Sequence, residues 1–143
     1  MSHDVGITPD LVQLVYHHVL RLFPAEDADM VHKIALPDGY NAATDGLAIV
    51  VADDVTQVDE TTHTRELVRI SVYGPDREGI RALGRRLYTA MTQGITGIGL
   101  GVSRSKSTFF GTGPSYQPTG FVSTMSISVG VGKLLATIKP PTA

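Results

Sequence analysis

Four glycines and a run of small polar and basic residues crowd into Gly94-Ile-Thr-Gly-Ile-Gly-Leu-Gly-Val-Ser-Arg-Ser-Lys-Ser107. That is the composition of a loop that cradles phosphate. Such loops need glycine so that backbone N–H groups can close on the anion, and a helix N-terminus behind them to supply partial positive charge. A G-x-G-x-x-G loop starting at Gly97 requires glycine at position 102, which is Val102. One starting at Gly99 requires it at position 104, which is Arg104. The P-loop run Gly-Lys-Ser/Thr is missing, because Lys106 follows Ser105. The glycines also come after a helical pattern and before a proline-bearing segment, the reverse of the strand–loop–helix order that binds phosphate. The stretch reads as a flexible hinge and early strand edge, with Arg104 and Lys106 as contacts to protein.

Other chemistry fares no better. The chain has no cysteine, so disulfides and thiolate metal sites are excluded. No serine stands in G-x-S-x-G, and His3, His17, His18, His32 and His63 are scattered without H-E-x-x-H. His17 and His18 occupy adjacent helical positions, about 100° apart, and cannot share a metal from one stripe. Asp53, Asp54, Asp59 and Glu60 offer oxygens of the kind calcium takes, but their spacing departs from the D-x-[DN]-x-[DN]-G loop and the turn glycine is absent. No pair of carboxylates sits in an apolar setting that would raise one pKa for acid–base work. The expectation is a chain that is not an enzyme, with no cofactor and no metal.

The surrounding elements then decide the class. Thr8-Pro9-Asp10 is a helix start, and Leu11, Val12, Val15, Val19 and Leu22 follow at helical spacing until Pro24 ends the pattern. Residues 30–36 (MVHKIAL) suggest a short strand, and 37–46 (PDGYNAATDG) a loop with two turn signatures. The apolar run 47–52 (LAIVVA) predicts a strand covered on both faces, and 53–64 a mobile acidic hairpin loop. In 65–91 (RELVRISVYGPDREGIRALGRRLYTAM), Val68, Ile70 and Val72 alternate as in a half-buried strand. After Gly74-Pro75-Asp76, Ile80, Leu83, Leu87, Ala90 and Met91 form a buried helical stripe. Gly79 and Gly84 weaken that helix by about 1 kcal/mol each, which close packing would explain. Residues 104–120 read as a long aromatic loop with Phe109, Phe110 and Tyr116 as docking anchors. Phe121, Ser123, Met125, Ile127, Val129 and Val131 then alternate along a long strand, which Leu134, Leu135 and Ile138 continue beyond a bend at Gly132. A polar tail closes the chain. The order predicts one α+β domain over 1–143, a mixed, largely antiparallel sheet with two helices packed on one face. There is no run of some eighteen apolar residues and no signal-peptide pattern, so a soluble chain with no membrane partner is expected.

The net charge of −2 hides a split: residues 1–60 carry 11 Asp/Glu and 2 Lys/Arg, residues 61–143 carry 3 and 10. Identical copies with an acidic and a basic surface can meet head to tail, and such contacts close into a ring. Alternatively the fold interleaves the halves and the charges are merely solvated. Arg77, Arg81, Arg85 and Arg86 raise nucleic-acid binding, but the helix lacks a base-reading set and the chain is not basic overall.

Three segments together resemble the tail terminator proteins of long, non-contractile-tailed bacteriophages, the family that includes the lambda tail terminator. They are the opening helix TPDLVQLVYHHVLRLF, the strand–helix unit LVRISVYGPDREGIRALGRRLYTAM and the alternating strand GFVSTMSISVGVG. The resemblance covers most of residues 8–135. It implies a structural virion protein at the head-proximal end of the tail, assembled in the bacterial cytoplasm. Such a protein forms a hexameric ring that caps the tail tube, stops tube polymerisation and offers the joining surface to the head or neck. Its implied partners are further copies of itself, the tail tube protein and a head–tail connector, with genomic DNA passing the lumen without sequence reading. No catalytic residues are implied. From the sequence, the expected contacts set Arg77, Arg81, Arg85 and Arg86 against Asp53, Asp54, Asp59 and Glu60, with Arg104, Lys106, Phe109, Phe110 and Tyr116 also at interfaces. Another phage neck protein, or a small ligand-binding domain using Gly94–Gly101, are the alternative readings.

Overall fold

The computed structural model describes residues 5–7, 9–60, 63–93, 101–116, 118–132 and 134–136. The chain runs β1 (Val5–Ile7), α1 (Leu11–Arg21), an acidic 3-10 helix (Ala25–Met30), β2 (Val31–Lys33), β3 (Ala48–Asp59), β4 (His63–Gly74), α2 (Arg77–Thr92), β5 (Gly101–Tyr116), β6 (Thr119–Gly132) and β7 (Leu134–Ala136). The main sheet has the order β2-β3-β4-β6-β5, antiparallel except for the parallel pair β2–β3, while β1 and β7 form a separate antiparallel pair. This is an α+β fold built on a mixed, mostly antiparallel sheet.

Alternation sets the two faces of the sheet. Val68, Ile70 and Val72 of β4 stand beside Ile127, Met125 and Ser123 of β6, and Ile70 and Val72 beside Val51 and Ile49 of β3. On that face they meet Leu11, Val12, Val15 and Val19 of α1 and Ile80, Leu87 and Met91 of α2 in one core. α1 lies over β2, β3 and β4, and α2 over β4, β6 and β5. Burying each of these side chains stabilises the fold by about 1.5–3 kcal/mol. The run 48–51 is buried on both faces, as its unbroken apolarity predicts.

Both helices are capped by aspartate. The Asp76 carboxylate accepts the N–H groups of Glu78 and Gly79, and Asp10 accepts that of Gln13. The first helix therefore starts at Leu11, later than the Thr8-Pro9 signature suggests. Strand β2 stops at Lys33, short of the apolar run's end, because Ile34 adopts φ 71° and turns the chain away.

Two expected loops are strands instead. Residues 53–59 extend β3 and 63–64 begin β4, while positions 61–62 lie outside the described residues. Residues 101–116 form an edge strand pairing β6 for almost its whole length. An edge strand accepts Pro114 because the missing N–H faces away from the ladder, and Gly111, at φ 107°, sits at a register break. A second break, between Ser103 and Thr108, throws out Arg104, Ser105 and Lys106. Ser107 clamps that bulge. Its hydroxyl donates to the Ser103 carbonyl (2.6 Å) and accepts the Ser128 N–H (2.9 Å). The glycine stretch divides here: positions 94–100 lie outside the described residues, and Gly101 opens β5. Beyond Gly132 the chain does not prolong the long strand; Leu134–Ala136 pairs β1 instead, while Ile138 and the tail lie outside the described residues. The segment 37–46 is a loop, as expected, and packs against the β5–β6 hairpin, with the Ala43 N–H on the Thr119 carbonyl (2.8 Å). Tyr40 donates to the Gly46 carbonyl inside this loop. Burial, helped by Asp45 and Tyr73, pushes its phenol above the ordinary range.

Candidate functional site

Side chains at i and i+4 share one side of a helix, so Arg77, Arg81 and Arg85 line a single side of α2. That side faces β5, since the Arg85 guanidinium lies 4.9 Å from the Phe109 ring centre and 6.0 Å from that of Tyr88. The bulge carrying Arg104 and Lys106 belongs to the same edge, and all five cations are exposed. Among the described residues, only Arg69 and His63 lie within ion-pair distance of a carboxylate. Arg86, off that side, lines a cleft of about 240 Å³ with Leu22, Phe23, Leu83, Leu87 and Ala90, and a second hollow with Arg85, Thr89, Ala90 and Gln93.

The opposite edge is acidic. Strand β2 covers β3 only at Ile49–Val51, so β3 from Ala52 onward is itself an open edge. Asp53 is exposed there, and Glu60, just after the strand, lies 3.6 Å from His63 Nε2. Beside β2, the 3-10 helix exposes Glu26, Asp27 and Asp29. The asymmetry in the sequence thus becomes two charged edges, separated by the width of a five-stranded sheet. No family model matches this chain, and no curated protein does either.

The sheet face without helices is polar and internally paired. Asp54 accepts from Arg69 (3.2 Å) and from Ser126 Oγ (2.7 Å). Arg65 reaches the Ser128 carbonyl and hydroxyl (3.2 and 3.1 Å), and that hydroxyl donates to Gln57 (2.7 Å). Arg69 also lies 5.4 Å from the Phe110 ring centre. No buried side-chain polar atom lacks a partner among the described residues. Nor do three His, Asp or Glu side chains converge as metal ligands among them.

The residues expected from sequence therefore separate. Arg77, Arg81, Arg85, Arg104 and Lys106 share one edge, and Asp53 and Glu60 the other. Asp54 does not join them, because its carboxylate is drawn onto the helix-free face by Arg69 and Ser126. The side chain of Asp59 lies outside the described residues. The docking-anchor reading of Phe109 is corrected: its ring is packed edge-on to Tyr88 (5.9 Å, 66°) beneath α2. Phe110 (57% exposed) and Tyr116 (81%, at the hairpin end) do project to solvent. Glu26, Asp27 and Asp29 were not anticipated. Their signal is proline followed by carboxylates, which suits a helical first turn.

Proposed function

We propose that this chain is a structural virion protein of the tail-terminator kind, which assembles head to tail into a ring on the last layer of a phage tail tube. The observation that carries the reading is the division of charge between opposite edges of one sheet. A self-complementary C2 contact puts the same patch on both partners, whereas an acidic edge facing a basic edge is heterologous and closes only as a ring. The order of elements supports the same reading. A capped N-terminal helix, a strand–helix unit around Gly74-Pro75-Asp76 and a long alternating strand are the three segments in which the chain resembles that family. Within the ring, the exposed aromatics Phe110 and Tyr116 would meet the tube protein or the head–tail connector. DNA would pass a wall that reads no sequence.

The test is the mass of the purified chain in solution, alone and with tail-tube protein. A closed oligomer, formed alone or only on the tube, is expected. A chain that stays monomeric in both conditions overturns the reading.

A further inference from the structure

We infer that the contact between neighbouring copies seats the acidic 3-10 helix Ala25–Met30 of one copy on the Arg77–Arg81–Arg85 row of the next. The inference rests on the ring reading and names the two surfaces that close it.

The spacing of the charges carries it. A 3-10 helix has three residues per turn and rises about 2.0 Å per residue, so Glu26 and Asp29, at i and i+3, eclipse one another about 6 Å apart. In an α-helix, residues at i and i+4 on one side are likewise separated by about 6 Å of rise. Two carboxylates at that pitch therefore match two guanidinium groups at the same pitch, either Arg77 and Arg81 or Arg81 and Arg85. Both surfaces are exposed, and among the described residues no carboxylate lies within ion-pair distance of Arg77, Arg81 or Arg85 and no cation within that distance of Glu26 or Asp29. Like charges at i and i+4 work against an isolated helix by about 0.2–0.5 kcal/mol per pair; Glu78, three residues before Arg81, offsets part of that cost, and an acidic surface on the row would offset the rest. Exposed apolar side chains that can exclude water, Leu22 and Ile34, lie beside the 3-10 helix and β2, and the Phe109 ring lies against Arg85 in the row.

Direct strand pairing between the edges fits less well. The outer side of β5 is blunted by Pro114, by two register breaks and by the charges of Arg104 and Lys106, the devices that discourage edge-to-edge pairing. Side chains, not a shared ladder, then select the partner. The occupant is a second copy rather than nucleic acid, because the chain carries the complementary surface itself and has a net charge of −2.

The experiment reverses each edge in the full chain. One variant carries Arg77→Glu with Arg81→Glu, the other Glu26→Lys with Asp29→Lys; all four positions are exposed, and circular dichroism checks that both variants stay folded. Sedimentation velocity is run on each alone and on an equimolar mixture, with tube protein present if the wild type assembles only on it. Each variant alone should need at least a tenfold higher concentration to assemble. The mixture should recover wild-type assembly, since the variants alternate with every contact complementary. A ring formed by each variant alone, or a mixture that stays dissociated while the wild type closes, overturns this pairing and leaves the ring reading intact. A wild type that never assembles overturns both. Loss of duplex DNA binding in the arginine variant, with assembly unchanged, assigns the row to phosphate and overturns the pairing.

Discussion

A Cβ built on Gly84 of α2 would stand 2.8 Å from the Cβ of Ser123 on β6 and 3.3 Å from the Phe109 ring. Glycine at 84 is what lets the helix settle on the sheet, while Ser123 donates its hydroxyl to the Ile80 carbonyl (3.2 Å). Gly84→Ala gains about 1 kcal/mol of helix propensity but forces the two elements apart, an overpacking cost of about 1–3 kcal/mol. Urea unfolding should show a net loss of stability. An unchanged or raised midpoint would mean that α2 is free to shift.

Asp54 serves two donors, of which Ser126 is buried and Arg69 is half exposed. Asp54→Ala removes the acceptor of both and should cost about 1–3 kcal/mol, mostly from the stranded serine hydroxyl. Asp53→Ala, on the exposed position next to it, should change stability by no more than about 0.5 kcal/mol. Equal effects at the two positions would show that the network on the helix-free face contributes nothing.

Gly120 adopts φ 143°, and a Cβ there would come within 2.5 Å of the Ala42 side chain and 2.9 Å of the Gly74 carbonyl. Strain and collision act together, so Gly120→Ala should destabilise by at least about 2 kcal/mol. It should also loosen the 37–46 loop, measurable as faster hydrogen exchange of the Ala43 amide. Gly113→Ala, where a Cβ meets nothing within 4 Å, is the matched control and should leave that amide unchanged.

His18 is buried in α1, and burial, assisted by Arg21, lowers its pKa from the ordinary 6.5. The unfolded chain therefore takes up a proton near pH 6.5 while the folded chain resists it. Its contribution to stability is complete above pH 6.5 and is lost as the pH falls below that value. The melting temperature of the wild type should drop more steeply between pH 7.5 and 5.5 than that of His18→Leu. Parallel curves would rule out this histidine as the source.

The periodic elements were legible because their signals are local. Val68, Ile70 and Val72 alternate against one core, and the Ile80–Met91 stripe follows a capping aspartate, so neither depends on a distant partner. Strand β5 was not legible for the opposite reason. Gly111, Gly113 and Pro114 give it the composition of a loop, and it is ordered by pairing with β6. The burial of Phe109 likewise depends on the gap at Gly84, which no single-strand pattern encodes. For the candidate surface, helical spacing revealed the arginine row. Its counterpart at Glu26 and Asp29 depends on strand order, which decides the edge of the sheet where the 3-10 helix lies. Asp54 looked like a member of the acidic surface because 53–64 has the composition of a loop, which conceals the strand alternation that turns Asp53 and Asp54 to opposite faces.

The pairing of Val5–Ile7 with Leu134–Ala136 has a mechanical consequence. Val5 stands opposite Ala136 and Ile7 opposite Leu134 in an antiparallel register, so the outward-leading ends of both strands leave the clasp on the same side. Tension applied to the two flanks peels its hydrogen bonds one pair at a time instead of shearing them together. Under load the clasp opens first and at low force, and the five-stranded sheet feels the pull only afterwards, through α1 and the end of β6.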